Sequence, residues 1–112
     1  MLPHPIGSAV EYMLRAPYKG SEATDLRKAA WWLKKAREMP DLWNSGYIKI
    51  HANPRKYVAA VIAMATKSDW IIDLFGVSGT QIGISESAVD DLIVRLEKRA
   101  DALEKPQDET EE

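Results

Sequence analysis

The sequence predicts an all-α fold, a small bundle of about four helices built on an N-terminal helical hairpin. Three observations favour this class. Apolar residues recur every three or four positions through several long stretches, which is the spacing of one helical face. Only one short segment alternates in the way that is typical of a strand. With 112 residues and no cysteine, the chain is long enough to bury a modest core but cannot form a disulfide.

We expect a single helical domain over residues 1–104 and a disordered acidic tail over residues 105–112. Four of the eight tail residues are acidic, and none is an apolar anchor. No apolar run reaches the roughly 18 residues that indicate a membrane span, and the N-terminus lacks the pattern of a signal peptide. These features predict a cytoplasmic protein that does not enter a membrane.

The hairpin occupies residues 7–33 and supplies the first two predicted helices. Ser8 can cap the first helix, expected over residues 8–16, and Pro17 stops it. The pair Lys19-Gly20 then provides a turn.

The second helix is expected over residues 22–39, because its apolar residues keep the spacing of one helical face. Trp31 and Trp32 are adjacent, and neighbouring side chains point about 100° apart on a helix. One tryptophan should therefore be buried and the other should lie near the surface. The apolar residues of this face are Leu26, Ala29, Ala30, Leu33, Ala36 and Met39.

The middle of the chain contains one candidate strand and one strongly apolar helix. Residues 47–51 alternate as a strand does, and we interpret them as an extended connection; the alternative is pairing with the same segment of another subunit. Asn53-Pro54 is a strong start for a helix over residues 54–75. This helix is apolar almost all round, so we expect it to be buried at the centre of the bundle.

The last predicted helix, over residues 86–104, follows a glycine-bearing loop and is capped by Ser85. The loop, residues 76–83, is expected to connect two helices and lacks the Gly-Lys-Ser/Thr of a phosphate-binding loop. The helix has a long apolar face with a heptad-like rhythm, which favours a homo-oligomer. Its opposite face is charged and is expected to be solvated.

The candidate functional residues are charged side chains of the hairpin. Residues 1–39 hold seven Lys or Arg and four Asp or Glu, a net charge of +3. Antiparallel packing of the hairpin should bring Arg15 and Asp25 together. In one interpretation they form an ion pair that fixes the corner. In the other, the basic side chains converge with the free amides at the start of the second helix on an anion. The candidate ligand-binding residues are Arg15, Lys19, Asp25, Arg27, Lys28 and Trp31.

The hairpin also resembles a known family. The residues Gly7-x-Ala9-x-x-Tyr12-x-x-Arg15-Ala16-x-x-Lys19-Gly20-x-x-x-x-Asp25-Leu26-x-Lys28-Ala29-x-Trp31-Trp32-Leu33 resemble, without a gap, the hairpin of small bacteriophage proteins called nucleotide-kinase-like. Pro17 stands where that family usually has glycine, and the leader is reduced to Leu2-Pro3-His4-Pro5. The resemblance implies a helical fold, phage origin, and a location in the cytoplasm of an infected or lysogenic host.

Three functions are compatible with these features. The first is binding of a nucleotide or phosphorylated small molecule by the hairpin. Whether the protein is also a nucleotide kinase stays open; no cofactor is expected unless phosphate is transferred, in which case Mg²⁺ is needed and Asp25 is its one candidate ligand. The second is a non-catalytic helical protein that binds a host or phage protein. The third is a helix-turn-helix DNA binder using residues 75–96, disfavoured because Glu86, Asp90 and Asp91 would face phosphates.

Overall fold

The computed structural model describes residues 3–16, 20–43, 47–49, 54–78 and 81–104. The prediction of a small all-α bundle is confirmed, and a small antiparallel sheet is added to it. The elements in chain order are α1 (His4–Arg15), α2 (Glu22–Arg37), a 3₁₀ helix (Pro40–Trp43), β1 (Tyr47–Lys49), α3 (Pro54–Ala65), α4 (Trp70–Leu74), β2 (Gly76–Ser78), β3 (Gln81–Ser85) and α5 (Glu86–Glu104).

Helix α2 lies at the centre of the bundle, with its most extensive contacts to α1 and α5. Its buried side chains include two alanines, Ala29 and Ala30, which allow a neighbouring helix to approach closely. The side chains that complete this core repeat at helical spacing on both neighbours. They are Ile6, Ala9, Val10 and Met13 of α1, and Val89, Leu92, Ile93, Leu96 and Ala100 of α5.

Helix α1 begins earlier than predicted, at His4 rather than at Ser8. Pro3 is the N-cap residue and Pro5 lies in the first turn, where a proline costs no hydrogen bond because the first amides of a helix have no internal partner. Ser8 is therefore inside the helix, with its Oγ 3.4 Å from His4 Nδ1. Pro17, the predicted stop, lies outside the described residues.

The predicted third helix, over residues 54–75, is wrong in its length and in its burial. It is divided into α3 and α4 by a turn in which the amides of Lys67 and Ser68 both donate to the carbonyl of Met64. Ile62 is 59% exposed. Three alanines beside it, Ala59, Ala60 and Ala63, are exposed as well, whereas Val61 is buried. Because α1 and α5 already cover α2, α3 packs at the edge of the bundle on α4 and β3, and among its described side chains Val61 reaches the core.

The strand prediction needs correction as well, because β1 pairs with β3 of the same chain. Both proposed alternatives, an extended connection and pairing with another subunit, are wrong. The sheet has the order β1-β3-β2, all antiparallel, with Ile48 opposite Ile84 and Val77 opposite Ile82. Ile48 and Ile84 are both buried, so this face of the sheet joins the core.

Residues 76–78 and 81–83 therefore belong to the paired strands of a β-hairpin and do not form the predicted helix-to-helix connection. The same hairpin contradicts the helix-turn-helix over residues 75–96, because a strand occupies the place of the required turn. The DNA-binding alternative thus loses its structural basis.

Helix α5 begins as predicted, with the amide of Ala88 donating to Ser85 Oγ at 3.1 Å. Its apolar face is buried within the chain, against α2, β3 and α4. This face is therefore not available for the homo-oligomer that its rhythm suggested. Among the described residues, no helix combines the length and apolar character that crossing a membrane requires.

Opposite charges follow the seam between α2 and α5, which we call the ion ladder. Arg27 pairs with Asp101 and Glu104, Lys34 with Glu97, and Arg37 with Glu86 and Asp90. The partners run in antiparallel order, so the ladder follows the seam from the first turns of α2 to its last residue. The charged face of α5, which was expected to be solvated, thus has several of its carboxylates paired with cations of α2.

We expect Leu96→Ala to lower the free energy of unfolding by about 3 kcal/mol, because a fully buried leucine leaves a cavity when it is truncated. Val94→Ala on the same helix is the matched control, since Val94 is 62% exposed. Its effect should stay within about 0.5 kcal/mol. Urea denaturation followed by circular dichroism measures both; equal losses would contradict the described orientation of α5.

We expect Arg37→Gln to lower the free energy of unfolding by about 1 kcal/mol at low salt, because it removes two ion pairs of a half-buried guanidinium. The loss should shrink in 1 M salt, which screens charges beyond about 3 Å. Arg99→Gln is the control, an exposed arginine for which the described chain supplies no ion pair. Arg37 Cζ also lies 5.3 Å from the centroid of the Trp43 ring, so a loss that is unchanged by salt would show that Arg37 acts through this contact instead.

Candidate functional site

Two of the predicted cations meet at one aromatic ring on the outside of the hairpin. The ring is that of Tyr12, which is partly buried on α1. Arg15 Cζ lies 5.4 Å and Lys28 Nζ 5.5 Å from its centroid, both within the range of a cation–π interaction. The structure thus brings Arg15 of α1 and Lys28 of α2 together.

A second aromatic cluster lies further along α2, at Trp31 and Trp32. Trp31 is 51% exposed, while Trp32 packs partly buried against the core, as predicted for two adjacent tryptophans. Their rings meet edge to face, with centroids 4.9 Å apart. Lys35 Nζ lies 5.0 Å from the Trp31 centroid, and the His4 ring lies 5.2 Å from that of Trp32.

We call these two clusters together the aromatic–basic face. It combines rings from both helices of the hairpin with three cations, so it can stack on a flat apolar group and neutralise an anion at the same place. Its members are His4, Tyr12, Arg15, Lys28, Trp31, Trp32 and Lys35.

The cations of this face differ from the other cations of α2 in their partners. Within the described ranges, Arg15 and Lys28 form no ion pair, and both are exposed. Lys35 pairs only with Glu38 at 3.6 Å, and both side chains are exposed, so that this pair is weak. The charges of Arg15 and Lys28 are therefore available to an anion from solution.

Arg27, also a candidate from the sequence, points to the ion ladder instead. Its Nε donates to Glu104 at 3.0 Å and its Nη2 donates to Asp101 at 2.7 Å. The hydrogen bond to Glu104, and to a smaller extent the hydrogen bond to Asp101, raises the pKa of Arg27. The charge of Arg27 is thus paired with carboxylates of α5. The structure thus separates Arg27 from Arg15 and Lys28.

Asp25 lies inside the hairpin, with only 2% of its surface exposed. No ion pair joins it to Arg15, whose guanidinium lies on Tyr12; the predicted corner ion pair is therefore wrong. Its Oδ2 has no hydrogen-bond partner in the described part of the chain. Lys19, the remaining candidate, lies outside the described residues.

A cavity of about 360 Å³ opens at the start of α2. Gly20 lines this cavity and precedes α2. Its φ of +72° is a backbone conformation that residues with a side chain disfavour. The described lining of the cavity contains no basic side chain and includes the acidic Glu22, so it suits an anion less well than the aromatic–basic face does. The lining residues are Ala16, Gly20, Ser21, Glu22, Ala23, Thr24 and Leu103.

Tyr12, Lys35 and His4 are members of the face that the sequence did not single out as site residues. Tyr12 precedes Arg15 by three positions and Lys35 follows Trp31 by four, spacings that place side chains together on a helix. That signal was present in the sequence. The described residues contain no group of three or more His, Asp or Glu side chains placed to hold a metal ion.

Comparison of the chain with models of known protein families, with characterised proteins and with solved structures gives no match. The resemblance of the hairpin to the phage family therefore stays a prediction.

Proposed function

We propose that this chain is a small phage-type accessory protein that binds a nucleotide or another phosphorylated small molecule in the cytoplasm of the host. The ligand binds on the aromatic–basic face. One observation supports this above all: Arg15 and Lys28, two exposed cations without an ion pair among the described residues, lie beside the same ring. These two cations are gathered at the partly buried ring of Tyr12, and the exposed Trp31 follows Lys28 by three residues on α2.

The chemistry of the face suits both parts of a nucleotide. The guanidinium of Arg15 can donate two parallel hydrogen bonds to a phosphate, and Lys28 adds a point charge. Hydrogen bonds to charged groups contribute about 1.5–3 kcal/mol each. The base can stack on the exposed surface of Trp31, a contact worth about 1–3 kcal/mol. These interactions sum to about 4–9 kcal/mol before the cost of association, so we expect binding no tighter than micromolar.

Binding is the part of this function that the geometry supports. A nucleotide kinase would also need to hold Mg²⁺ on the phosphates. Asp25, the candidate ligand from the sequence, is buried inside the hairpin.

We expect a nucleotide at a hundredfold excess over its Kd to stabilise the protein by about 2.7 kcal/mol in thermal unfolding. Arg15→Gln and Lys28→Gln should each weaken binding about tenfold, because each removes a charged donor to phosphate. Lys98→Gln, an exposed lysine of α5, is the control and should bind normally. Isothermal titration measures the three variants. Absence of binding by all nucleotides, or equal weakening by Lys98→Gln, would contradict the proposal.

A second candidate function is binding of a host or phage protein, and a separate observation favours it. Three large apolar side chains on consecutive helices are more than half exposed: Ile62 at 59%, Ile72 at 60% and Val94 at 62%. Helix α4 packs against both α3 and α5, so it connects the helices that carry them. A contiguous exposed apolar patch is typical of protein interfaces, and these three side chains lie on helices that pack in series.

If this surface binds a protein, Ile62→Glu should abolish the complex and leave the thermal stability of the free chain unchanged, because Ile62 does not contribute to the core. Cross-linking in the host followed by mass spectrometry would identify the partner with the wild-type chain. Lys98→Glu is the control, because it also adds a carboxylate at an exposed position. Equal recovery of the partner with Ile62→Glu would rule out this surface.

A further inference from the structure

We infer that the ligand of the aromatic–basic face is a phosphodiester-linked chain, a dinucleotide or short single-stranded oligonucleotide, with phosphates on both sides of a base stacked on Trp31. This inference rests on the proposed function, and it goes further by naming the class of ligand. It depends on the order of cations and rings along α2.

Trp31 lies between two cations on one side of α2. Lys28 precedes it by three residues and Lys35 follows it by four, so all three lie on neighbouring turns of one helical face. Lys28 and Lys35 are seven residues apart, which is about 10 Å along the helix axis. Lys28 is held beside Tyr12, and Lys35 lies over Trp31 itself.

A mononucleotide cannot use this whole arrangement. Its phosphate lies on one side of its base, so with the base on Trp31 it reaches either the Arg15–Lys28 cluster or Lys35. A nucleoside inside a chain carries a phosphate on its 5′ side and another on its 3′ side. A cation on each side of Trp31 therefore adds affinity only for a nucleoside that carries a phosphate on both its 5′ and its 3′ side.

The rings favour single strands over a duplex. Trp31 is 51% exposed and presents a surface on which a base of any identity can stack, because every base has a π-face. In a duplex, the faces of the bases are already stacked on one another and cannot reach Trp31. Stacking and charge without hydrogen bonds to base edges also predict weak sequence preference.

Glu38 is a carboxylate that competes with a phosphate for Lys35. It lies 3.6 Å from Lys35, and its side chain is 67% exposed. A phosphate can displace it, because an exposed pair of this kind is weak and loses little when it is broken. Glu38→Gln should therefore strengthen binding of the chain ligand.

The test compares four probes by isothermal titration: deoxyadenosine 5′-monophosphate, deoxyadenosine 3′,5′-bisphosphate, a single-stranded deoxyadenosine hexamer, and a mixed-sequence duplex of about 20 base pairs, long enough to stay paired during the titration. We expect the bisphosphate and the single-stranded hexamer to bind about tenfold more tightly than the monophosphate and the duplex. This gain corresponds to one additional charge-assisted contact.

Variants then identify the residues responsible. Lys35→Gln should remove the tenfold gain, so that the bisphosphate binds no more tightly than the monophosphate, and Trp31→Ala should weaken binding of all single-stranded probes. Lys34→Gln is the matched control, because this neighbouring lysine is held by Glu97 in the ion ladder. Circular dichroism verifies that each variant is folded.

The outcomes separate the two proposals. If the monophosphate and bisphosphate bind equally, or if Lys34→Gln removes the gain as Lys35→Gln does, the inference is overturned and nucleotide binding stands. If no probe binds at all, the proposed function fails and the inference fails with it. A duplex that binds as tightly as the single strand would overturn stacking on Trp31.

Discussion

The packing of α2 between α1 and α5 is the constraint on which the rest of the structure depends. A helix with neighbours on two sides has only a limited part of its circumference left for solvent. Its sequence is divided accordingly, with small and apolar residues toward both partners. The remaining positions carry the charged and aromatic side chains that determine what the surface can bind.

The ion ladder decides which of these charged side chains are available. Arg27, Lys34 and Arg37 are matched by carboxylates of α5, whereas Lys28 lies toward α1, which offers it a ring in place of a carboxylate. Only some of the positive charges of the hairpin are therefore available to a ligand. Part of it stabilises the bundle, and part of it is exposed beside Tyr12 and Trp31.

The sequence was sufficient to predict those features that depend on local spacing. The course of α2 and α5, the cap at Ser85, the start of α3 at Pro54 and the different burial of Trp31 and Trp32 all follow from residues within one or two turns. The pairing of β1 with β3 could not be predicted in this way, because its partners are more than thirty residues apart in the chain. The third strand of the sheet, β2, has three residues and is too short to show alternation.

The same distinction applies to the candidate site. That Arg15 and Lys28 approach each other followed from the antiparallel hairpin. That Arg27 turns away depends on Asp101 and Glu104, which no pattern within the hairpin reveals. The exposure of α3 was missed for a related reason: its apolar composition indicated burial, but the available core was already filled by two other helices.

The contact between Arg37 and Glu86 has a consequence for how the protein can vary. Arg37 Nη1 lies 2.7 Å from Glu86 Oε2, at the last residue of α2 and the first of α5. The stretch between these two residues thus begins and ends at nearly the same point of the bundle. Because the entropy of closing such a loop changes slowly with its length, insertions there should be tolerated far better than insertions in α1, α2 or α5. Relatives of this protein should therefore differ most in the part that carries α3 and the sheet.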